Sequence, residues 1–343
     1  MSAFVWKRAH TVVAAVTALV LAGAGVGLAV TRGSRESPPS AGPLSSGTSS
    51  SPTPTRSSAT PEPDPKPKST DPLSGGQVSG NPVIAVKVEN TSAARPQVGL
   101  SQADIVFAEE VEGAQTRLVA VYHTRLPKRL GPVRSARSTD AELLPLFGKP
   151  GLVYSGANPR VQRRLDAASL VPIYRETRDR RRSAPHNVFV DLGRIARSEQ
   201  SGKAEPIGWT FAGKPSQPGQ PDDDKATSKV GNDVFAFDYA KGRYTVSWRG
   251  KRYVDGDSDA VTRADNVVVM HVRNVPDGNR DVLGSPSVLS KTVGSGAVTV
   301  YRDGRKIDGN WARSKASGPL RFTDSAGRAI ALRPGQTWVT LQG

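Results

Sequence analysis

The sequence has no cysteine, and its 343 residues include only four histidines. Without a thiol, the chain cannot form a disulfide, use a cysteine nucleophile, bind zinc through cysteine or carry a lipid on cysteine. The histidines stand at positions 10, 123, 186 and 271, which leaves little material for a dedicated metal centre. We therefore predict no metal site and no cofactor.

The charge balance is strongly basic. The chain has 47 lysines and arginines against 31 aspartates and glutamates, a formal net charge of +16. Residues 1–80 contain seven basic and four acidic residues, so +13 of this excess belongs to residues 81–343. Such a surface attracts polyanions, among them nucleic acid, anionic lipid and anionic wall polymer. The location of the protein decides among these partners.

An uncharged apolar segment near the N-terminus predicts export. Residues 11–30 carry no charge, and a helix of this length spans a hydrocarbon core of about 30 Å. Lys7 and Arg8 favour a cytoplasmic tail at residues 1–10, with the rest of the chain outside. A cleaved signal peptide is the alternative, because residues 22–24 (Ala-Gly-Ala) have the form of a cleavage site. The protein is then either a single-pass membrane protein or secreted, and both locations argue against nucleic acid as partner.

A tether follows the apolar segment. Residues 31–80 are rich in serine, proline and threonine and contain few large apolar residues. Such a composition buries too little apolar surface to offset the entropy of ordering, so we predict disorder. Prolines keep the segment extended, which suits a domain held away from a membrane.

The remaining chain predicts an α+β fold in two domains. Residues 81–205 mix β-branched strands with helices, which indicates a mixed α/β sheet domain. Residues 206–229 are polar and indicate a connecting loop. Residues 230–343 are predominantly β.

Local signals refine this pattern. Thr139 followed by Glu142 predicts a capping box at a helix start, and Asn158 before a proline predicts a second helix start. Asp303-Gly304 predicts a two-residue hairpin turn. We expect three tryptophans in strand patterns of the β-rich half to be core or edge residues of its sheet: Trp248, Trp311 and Trp338.

Several stretches resemble a known family. They are VKVENTSAARPQVGLSQADIVFAEEVEGAQTRLVAVY, GPVRSAR and PHNVF, followed near the C-terminus by DGRKIDGNW and LRPGQTWVTL. The chain resembles the YerB-like family of bacterial exported proteins, which carries the DUF3048 N-terminal and C-terminal domains. The resemblance covers residues 81–343 and implies a two-domain extracytoplasmic protein without an established activity. Many members are lipoproteins, whereas this chain lacks the cysteine, which strengthens the prediction of a transmembrane anchor.

The first candidate binding residues lie on the strand predicted at residues 116–123. Alternation places Arg117 and His123 on one face with two valines. A charge on a buried face needs a partner. The face is therefore either an anion-binding wall or the site of a structural salt bridge. Three carboxylates are available for such a bridge: Glu109, Glu110 and Glu112.

The stretch LGPVRSARSTD, residues 130–140, supplies the next candidates. Arg134 and Arg137 offer planar donor groups suited to phosphate or carboxylate, and the Ser135 hydroxyl can donate to the same oxygens. A helix start follows them, and its free N–H groups favour an anion. Alternatively, the arginines pair with nearby carboxylates and the serine is a turn residue.

A third candidate is YSGANPR, where Ser155 ends a strand and Arg160 lies on the first helical turn. The pattern has the general form of an anion cradle. It lacks the glycines of a nucleotide-binding loop and the motif around a serine hydrolase nucleophile. Ser155 and Arg160 therefore join the ligand-binding candidates.

Three classes of function follow. The first is a membrane-anchored envelope protein that binds phosphate- or carboxylate-bearing material of the cell wall or membrane surface. The second is a hydrolase or transferase acting on a phosphorylated or glycan substrate, with His123, His186 or Glu110 as acid or base. The third is a protein-interaction module built on the β-rich domain, without a small-molecule site. The sequence favours the first and does not decide whether the protein is an enzyme.

Overall fold

Strands dominate the described part of the chain, and short helices lie among them. The computed structural model describes residues 70–175, 177–215, 217–221, 225–281 and 284–343. The strands are β1 (Ile84–Glu89), β2 (Ile105–Glu110), β3 (Thr116–Tyr122), β4 (Gly151–Tyr154), β5 (Val171–Tyr174), β6 (Gln220–Pro221), β7 (Ala226–Val230), β8 (Asp233–Ala240), β9 (Arg243–Trp248), β10 (Lys251–Arg252), β11 (Arg263–Ala264), β12 (Asn266–His271), β13 (Arg273–Arg280), β14 (Pro286–Lys291), β15 (Gly294–Arg302), β16 (Arg305–Arg313), β17 (Arg321–Asp324) and β18 (Thr337–Gln342). The α-helices are α1 (Ser138–Leu143), α2 (Pro159–Ala167) and α3 (Leu192–Ser198).

One mixed sheet takes strands from both predicted domains. Its order is β17-β16-β15-β12-β18-β2-β3-β1-β4-β5, with β6 beside β16. Strand β18 joins the two halves, because it pairs in parallel with β12 on one side and with β2 on the other. Strands β7 to β11 form a smaller sheet, and β13 and β14 form a separate hairpin. The α+β class predicted from the sequence is confirmed.

Each face of the large sheet carries its own apolar core, as strand alternation requires. On one face, Phe107, Val119 and Val121 pack with residues of the helices, among them Leu143 and Leu165. The other face packs against the smaller sheet and α3. Its core includes Val86, Leu118, Phe235, Trp248 and Trp338. The helix-covered face carries the candidate site.

Several local predictions are confirmed. The Asn158 side chain accepts a hydrogen bond from Val161 N at the start of α2. Asp303 and Gly304, both with positive φ, connect β15 and β16, as expected for a tight hairpin turn. The three predicted tryptophans are buried: Trp248, Trp311 and Trp338.

The predicted helix cap at Thr139 is wrong. Helix α1 begins at Ser138, and the Asp140 carboxylate accepts a hydrogen bond from Arg137 N at its start. Thr139 Oγ1 instead accepts from Ser290 N of β14. Glu142 accepts from Thr292 N and Val293 N just after β14. Both side chains serve contacts between distant segments, which local sequence spacing does not reveal.

Residues 70–80, assigned to the tether from composition, pack against the sheet. Leu73 is buried in the helix-side core, and Asp71 is buried beside it. Asp71 accepts hydrogen bonds from Leu73 N and Ser74 N, which fold this segment into a turn. The rest of the predicted tether, with residues 1–30, lies outside the described residues.

Candidate functional site

A row of charged residues crosses the helix-covered face of the sheet. Lys87 and Glu89 lie on β1, Glu109 on β2 and Arg117 on β3. The strand register sets Arg117 directly opposite Glu89 on one side and Glu109 on the other. The alternation predicted for β3 is confirmed, because Val119 and Val121 share the helix-side core. Arg117 therefore stands between two carboxylates at the end of an apolar strand face.

Lys87 lies at the centre of a fully buried charge cluster. Its ammonium group contacts the Glu109 carboxylate and lies 2.8 Å from Asp140 Oδ1. None of the three side chains is exposed to solvent. Burial, with the Asp140 charge, raises the pKa of Glu109 despite the opposing effect of Lys87. The cluster fixes the start of α1 to the sheet directly below the arginine loop.

Four of the predicted binding residues line one cavity of about 420 Å³: Arg117, Arg134, Ser135 and Arg137. Asn158, the cap of α2, also lines it, as do Glu112 and Gln115. Arg280 and Asp281 come from the end of β13. The cavity thus has four arginines and two carboxylates in its wall.

Backbone hydrogen bonds hold the arginine loop at the rim of the sheet. Arg134 N donates to Lys87 O, and Ser155 N donates to Arg134 O, each at or below 3.0 Å. Ala136 N donates to Gly156 O. The loop is therefore fixed between β1 and the end of β4, and its side chains project from a rigid support.

The three predicted arginines differ in how they are paired. The guanidinium of Arg137 already has partners within the protein. Its Nε and Nη2 contact Glu112 Oε2 at 2.8 and 2.7 Å, and its Nη1 donates to two backbone carbonyls. Arg134 has a longer ion pair, 3.5 Å from Nε to Glu89 Oε1. Arg137 is a structural part of the cavity wall, whereas Arg134 keeps donors available.

Arg117 is the least satisfied of the three. It is 6% exposed, and its Nη1 donates to Thr116 O at 3.1 Å. Its buried Nε makes no hydrogen bond within the described part of the chain. Burial, with the charges of Arg134 and Arg137, lowers the pKa of Arg117 to about 10. The side chain is still cationic at neutral pH, and the cavity offers space for an anionic partner.

The β13–β14 hairpin closes one side of the cavity. Asp277 Oδ2 accepts from Ser138 Oγ at 2.7 Å, and Arg164 donates to Asp277 O. These contacts attach the hairpin to α1 and α2. Arg280 and Asp281 thereby reach a cavity whose other residues all lie before residue 160.

The remaining candidates lie outside this cavity. Ser155 Oγ donates to Val133 O behind the arginine loop, and Arg160 is exposed on the first turn of α2. Glu110 points to the opposite face of β2, where it accepts from Asn274 Nδ2 at 2.7 Å. His123 follows the far end of β3, about 20 Å along the strand from Arg117.

His123 fastens the segment 70–80 to the sheet. Its Nε2 lies 3.0 Å from Asp71 Oδ2, and both residues are buried. Burial opposes the protonation of His123, but Asp71 and Asp104 outweigh it and raise the pKa of His123. Burial also opposes the ionisation of Asp71, but hydrogen bonds from His123 and Ser74 outweigh it and lower the pKa of Asp71. The ion pair is therefore the favoured state in mildly acidic solution.

Replacing His123 by glutamine should reduce stability in a pH-dependent way. A raised histidine pKa stabilises the fold fully below the unfolded value, 6.5, and this contribution disappears as pH rises through the folded value. The difference in unfolding free energy from the unaltered protein should thus be about 1 kcal/mol larger at pH 5.5 than at pH 9. Urea denaturation at both pH values measures it. His271→Gln, at an exposed site, is the control; an equal difference at both pH values contradicts the prediction.

His186 stands beside the cavity rather than in its wall. Its Nδ1 lies 2.8 Å from Glu89 Oε2. Glu89 Oε1 accepts from Thr91 Oγ1 at 3.1 Å and faces Arg134. Glu89, which is 1% exposed, is therefore shared by His186 and Arg134, and lies opposite Arg117 in the sheet. Among the described residues, no cluster of three or more His, Asp and Glu side chains is arranged to hold a metal ion.

Glu89 and Arg280 are two of the residues at the site that sequence reasoning did not select; Gln115 and Asp281 are others. A signal for Glu89 exists, because β1 reads IAVKVE and has charges at alternate positions of an otherwise apolar strand. These charges fall on the face that Arg117 occupies. Arg280 gives no comparable signal, since only the fold brings its hairpin to the cavity.

Comparisons with known proteins agree on one family. The chain matches "Protein of unknown function (DUF3048) N-terminal domain" at residues 70–205 and the corresponding C-terminal domain at residues 224–339. A relative from Bacillus subtilis (strain 168), "Putative lipoprotein YerB", is 27% identical over 279 residues, 75% of this chain and 80% of the relative. The crystal structure of YerB from Bacillus subtilis has the same fold, with a TM-score of 0.64 at 22% identity over 80% of this chain and 96% of that chain.

Proposed function

This chain belongs to the YerB-like family, both of whose DUF3048 domains it carries, and we propose that it is an extracytoplasmic, membrane-anchored protein that binds an anionic group. The name of its relative describes a lipoprotein. The present chain has no cysteine for a lipid, so we assign anchoring to residues 11–30. These residues lie outside the described ones, among which no helix is long and apolar enough to cross a bilayer.

Arg117, which forms no ion pair among the described residues, carries the proposal of anion binding. A buried guanidinium with an incomplete set of hydrogen bonds is costly, and this one, whose Nε makes no hydrogen bond among the described residues, opens onto a cavity with Arg134, Arg137 and Arg280. An incoming anion would complete its hydrogen bonds and offset the repulsion among the arginines. Arginine forks suit phosphate and carboxylate oxygens, which can each accept two parallel hydrogen bonds. Phosphate- or carboxylate-bearing envelope material fits both this chemistry and the proposed location.

Thermal denaturation of the full chain in detergent tests this binding. Inorganic phosphate at about 100 times its dissociation constant should stabilise the fold by about 2.7 kcal/mol. That corresponds to a rise in Tm of roughly 5–10 °C for a domain of this size. Sodium chloride at equal ionic strength should give no comparable rise, since it screens charge without filling the cavity. Citrate extends the test to carboxylates.

Arg134→Ala and Arg117→Ala should abolish most of the rise in Tm caused by phosphate. Arg321→Ala removes the same charge from an exposed position on edge strand β17 and should leave the rise unchanged. Equal responses of Arg134→Ala and Arg321→Ala would show general charge binding and would contradict a specific site.

A further inference from the structure

The contact between Glu89 and His186 holds an oriented imidazole beside the cavity. The His186 ring is 25% exposed, whereas the Glu89 carboxylate is buried. Two backbone hydrogen bonds fix the histidine segment: His186 N donates to Ser183 O, and Asp179 N donates to Asn187 O. The imidazole is thus held at the surface by a buried partner.

This arrangement fixes which nitrogen of His186 is available for chemistry. A carboxylate accepts hydrogen bonds only, so Nδ1 must carry a proton toward Glu89 Oε2. In the neutral ring, Nε2 then presents a lone pair, and it makes no hydrogen bond within the described part of the chain. Carboxylates orient the basic histidines of many hydrolytic enzymes in the same manner.

Glu89 also ties this histidine to the anion cavity. The same carboxylate faces Arg134, which lines the cavity, and stands opposite Arg117 in the β1–β3 register. Glu89 therefore links the imidazole to Arg134, one of the two arginines that would hold an anion. A bound phosphate ester carries a leaving group, so a base can promote its hydrolysis. A simple carboxylate has no group to release.

We propose that His186 is a general base, positioned by Glu89, for the hydrolysis of a phosphate ester held by Arg117 and Arg134. The proposal rests on the anion-binding function above. His186 Nε2 takes a proton from water as the water oxygen bonds to phosphorus. The ester P–O bond breaks, and the imidazolium returns the proton to the leaving alkoxide. The products are phosphate and an alcohol, with no change of oxidation state. The arginines stabilise the charge on the non-bridging oxygens.

Release of p-nitrophenolate from p-nitrophenyl phosphate and bis(p-nitrophenyl) phosphate tests the proposal on the full chain in detergent. His186→Ala should lower kcat about 100-fold or more, because general base catalysis contributes this much, and should leave KM and the phosphate-induced rise in Tm unchanged. Added imidazole should restore part of the lost rate. His186→Gln, closer in shape, provides a second variant if the alanine variant does not fold, and His271→Ala is the matched control.

Glu89→Gln tests the positioning role. The amide keeps the shape of the side chain but can present N–H to His186 Nδ1, which disfavours the reactive tautomer. We expect kcat to fall, with KM little changed. If the Glu89–His186 ion pair served only the structure, Glu89→Gln would change Tm without lowering kcat at an unchanged KM.

The outcomes separate the two proposals. If inorganic phosphate stabilises the protein but neither ester is hydrolysed, the catalytic proposal is overturned and anion binding stands. Hydrolysis that is equal in the unaltered protein and His186→Ala also overturns the catalytic proposal. If inorganic phosphate does not bind and p-nitrophenolate is not released from either ester, both proposals fall.

Discussion

Replacing Lys87 by alanine is expected to lower the free energy of unfolding by about 3–5 kcal/mol. Lys87 Nζ is the cation shared by Glu109 and Asp140, and all three side chains are fully buried. Without it, two carboxylates stay close together where water cannot solvate them. Protonation of one carboxylate can relieve part of this cost. The variant should therefore recover part of its lost stability as pH falls from 8 to 6.

Urea denaturation measures this loss, and the chain provides a matched control. Lys225 pairs with Asp238 at 3.1 Å, but its side chain is 75% exposed. Lys225→Ala should cost less than about 1 kcal/mol, since water replaces an exposed partner. Similar losses for both lysine variants would show that burial does not govern the Lys87 cluster and would contradict the prediction.

Replacing Trp338 by alanine should cost about 3–5 kcal/mol as well. Trp338 is fully buried on β18, and its ring contacts Phe235 of β8 and Tyr253, which follows β10, with centroids 6.3 and 5.3 Å apart. Its removal leaves a large cavity in the core between the large and the smaller sheet. Because its neighbours belong to separate segments, on β8 and after β10, the cavity cannot close without backbone movement.

The shape of the unfolding curve gives Trp338→Ala a second readout. Strand β18 joins the two predicted domains in one sheet, so we expect the variant to unfold in one transition at a lower denaturant concentration. Trp209, only half-buried, provides the comparison: Trp209→Ala should cost clearly less. Two separate transitions, with only one of them shifted, would show that the halves unfold independently.

The sequence predicted much of the cavity because its signals are local. Alternation in β3 correctly placed Arg117 with Val119 and Val121, and the stretch around Arg134 and Arg137 was identified from residue type alone. The partners of these side chains, by contrast, could not be predicted. Whether Arg137 pairs with Glu112, and whether the Nε of Arg117 has a partner, depends on strand register and loop path. Neither can be obtained from spacing along one chain.

The misplaced residues have the same explanation. His123 shares a face of β3 with Arg117, as alternation requires. Its partner Asp71 lies in a segment that composition assigned to the tether, so the sequence did not reveal this contact. Thr139 and Glu142 matched a capping pattern, yet contacts with the segment after β14 engage both side chains instead. The sequence likewise predicted two domains and gave no sign of the parallel pairing of β18 with β2.

The position of β18 has a consequence for how the protein folds during its synthesis. The ribosome makes β2 early and β18 after every other strand of the sheet, yet the two are neighbours at its centre. Until residues 337–342 emerge, β2 has an open edge able to pair with other chains. The N-terminal half therefore cannot complete its sheet until these residues are available. Chaperones that shield exposed strand edges would act on this chain during that delay.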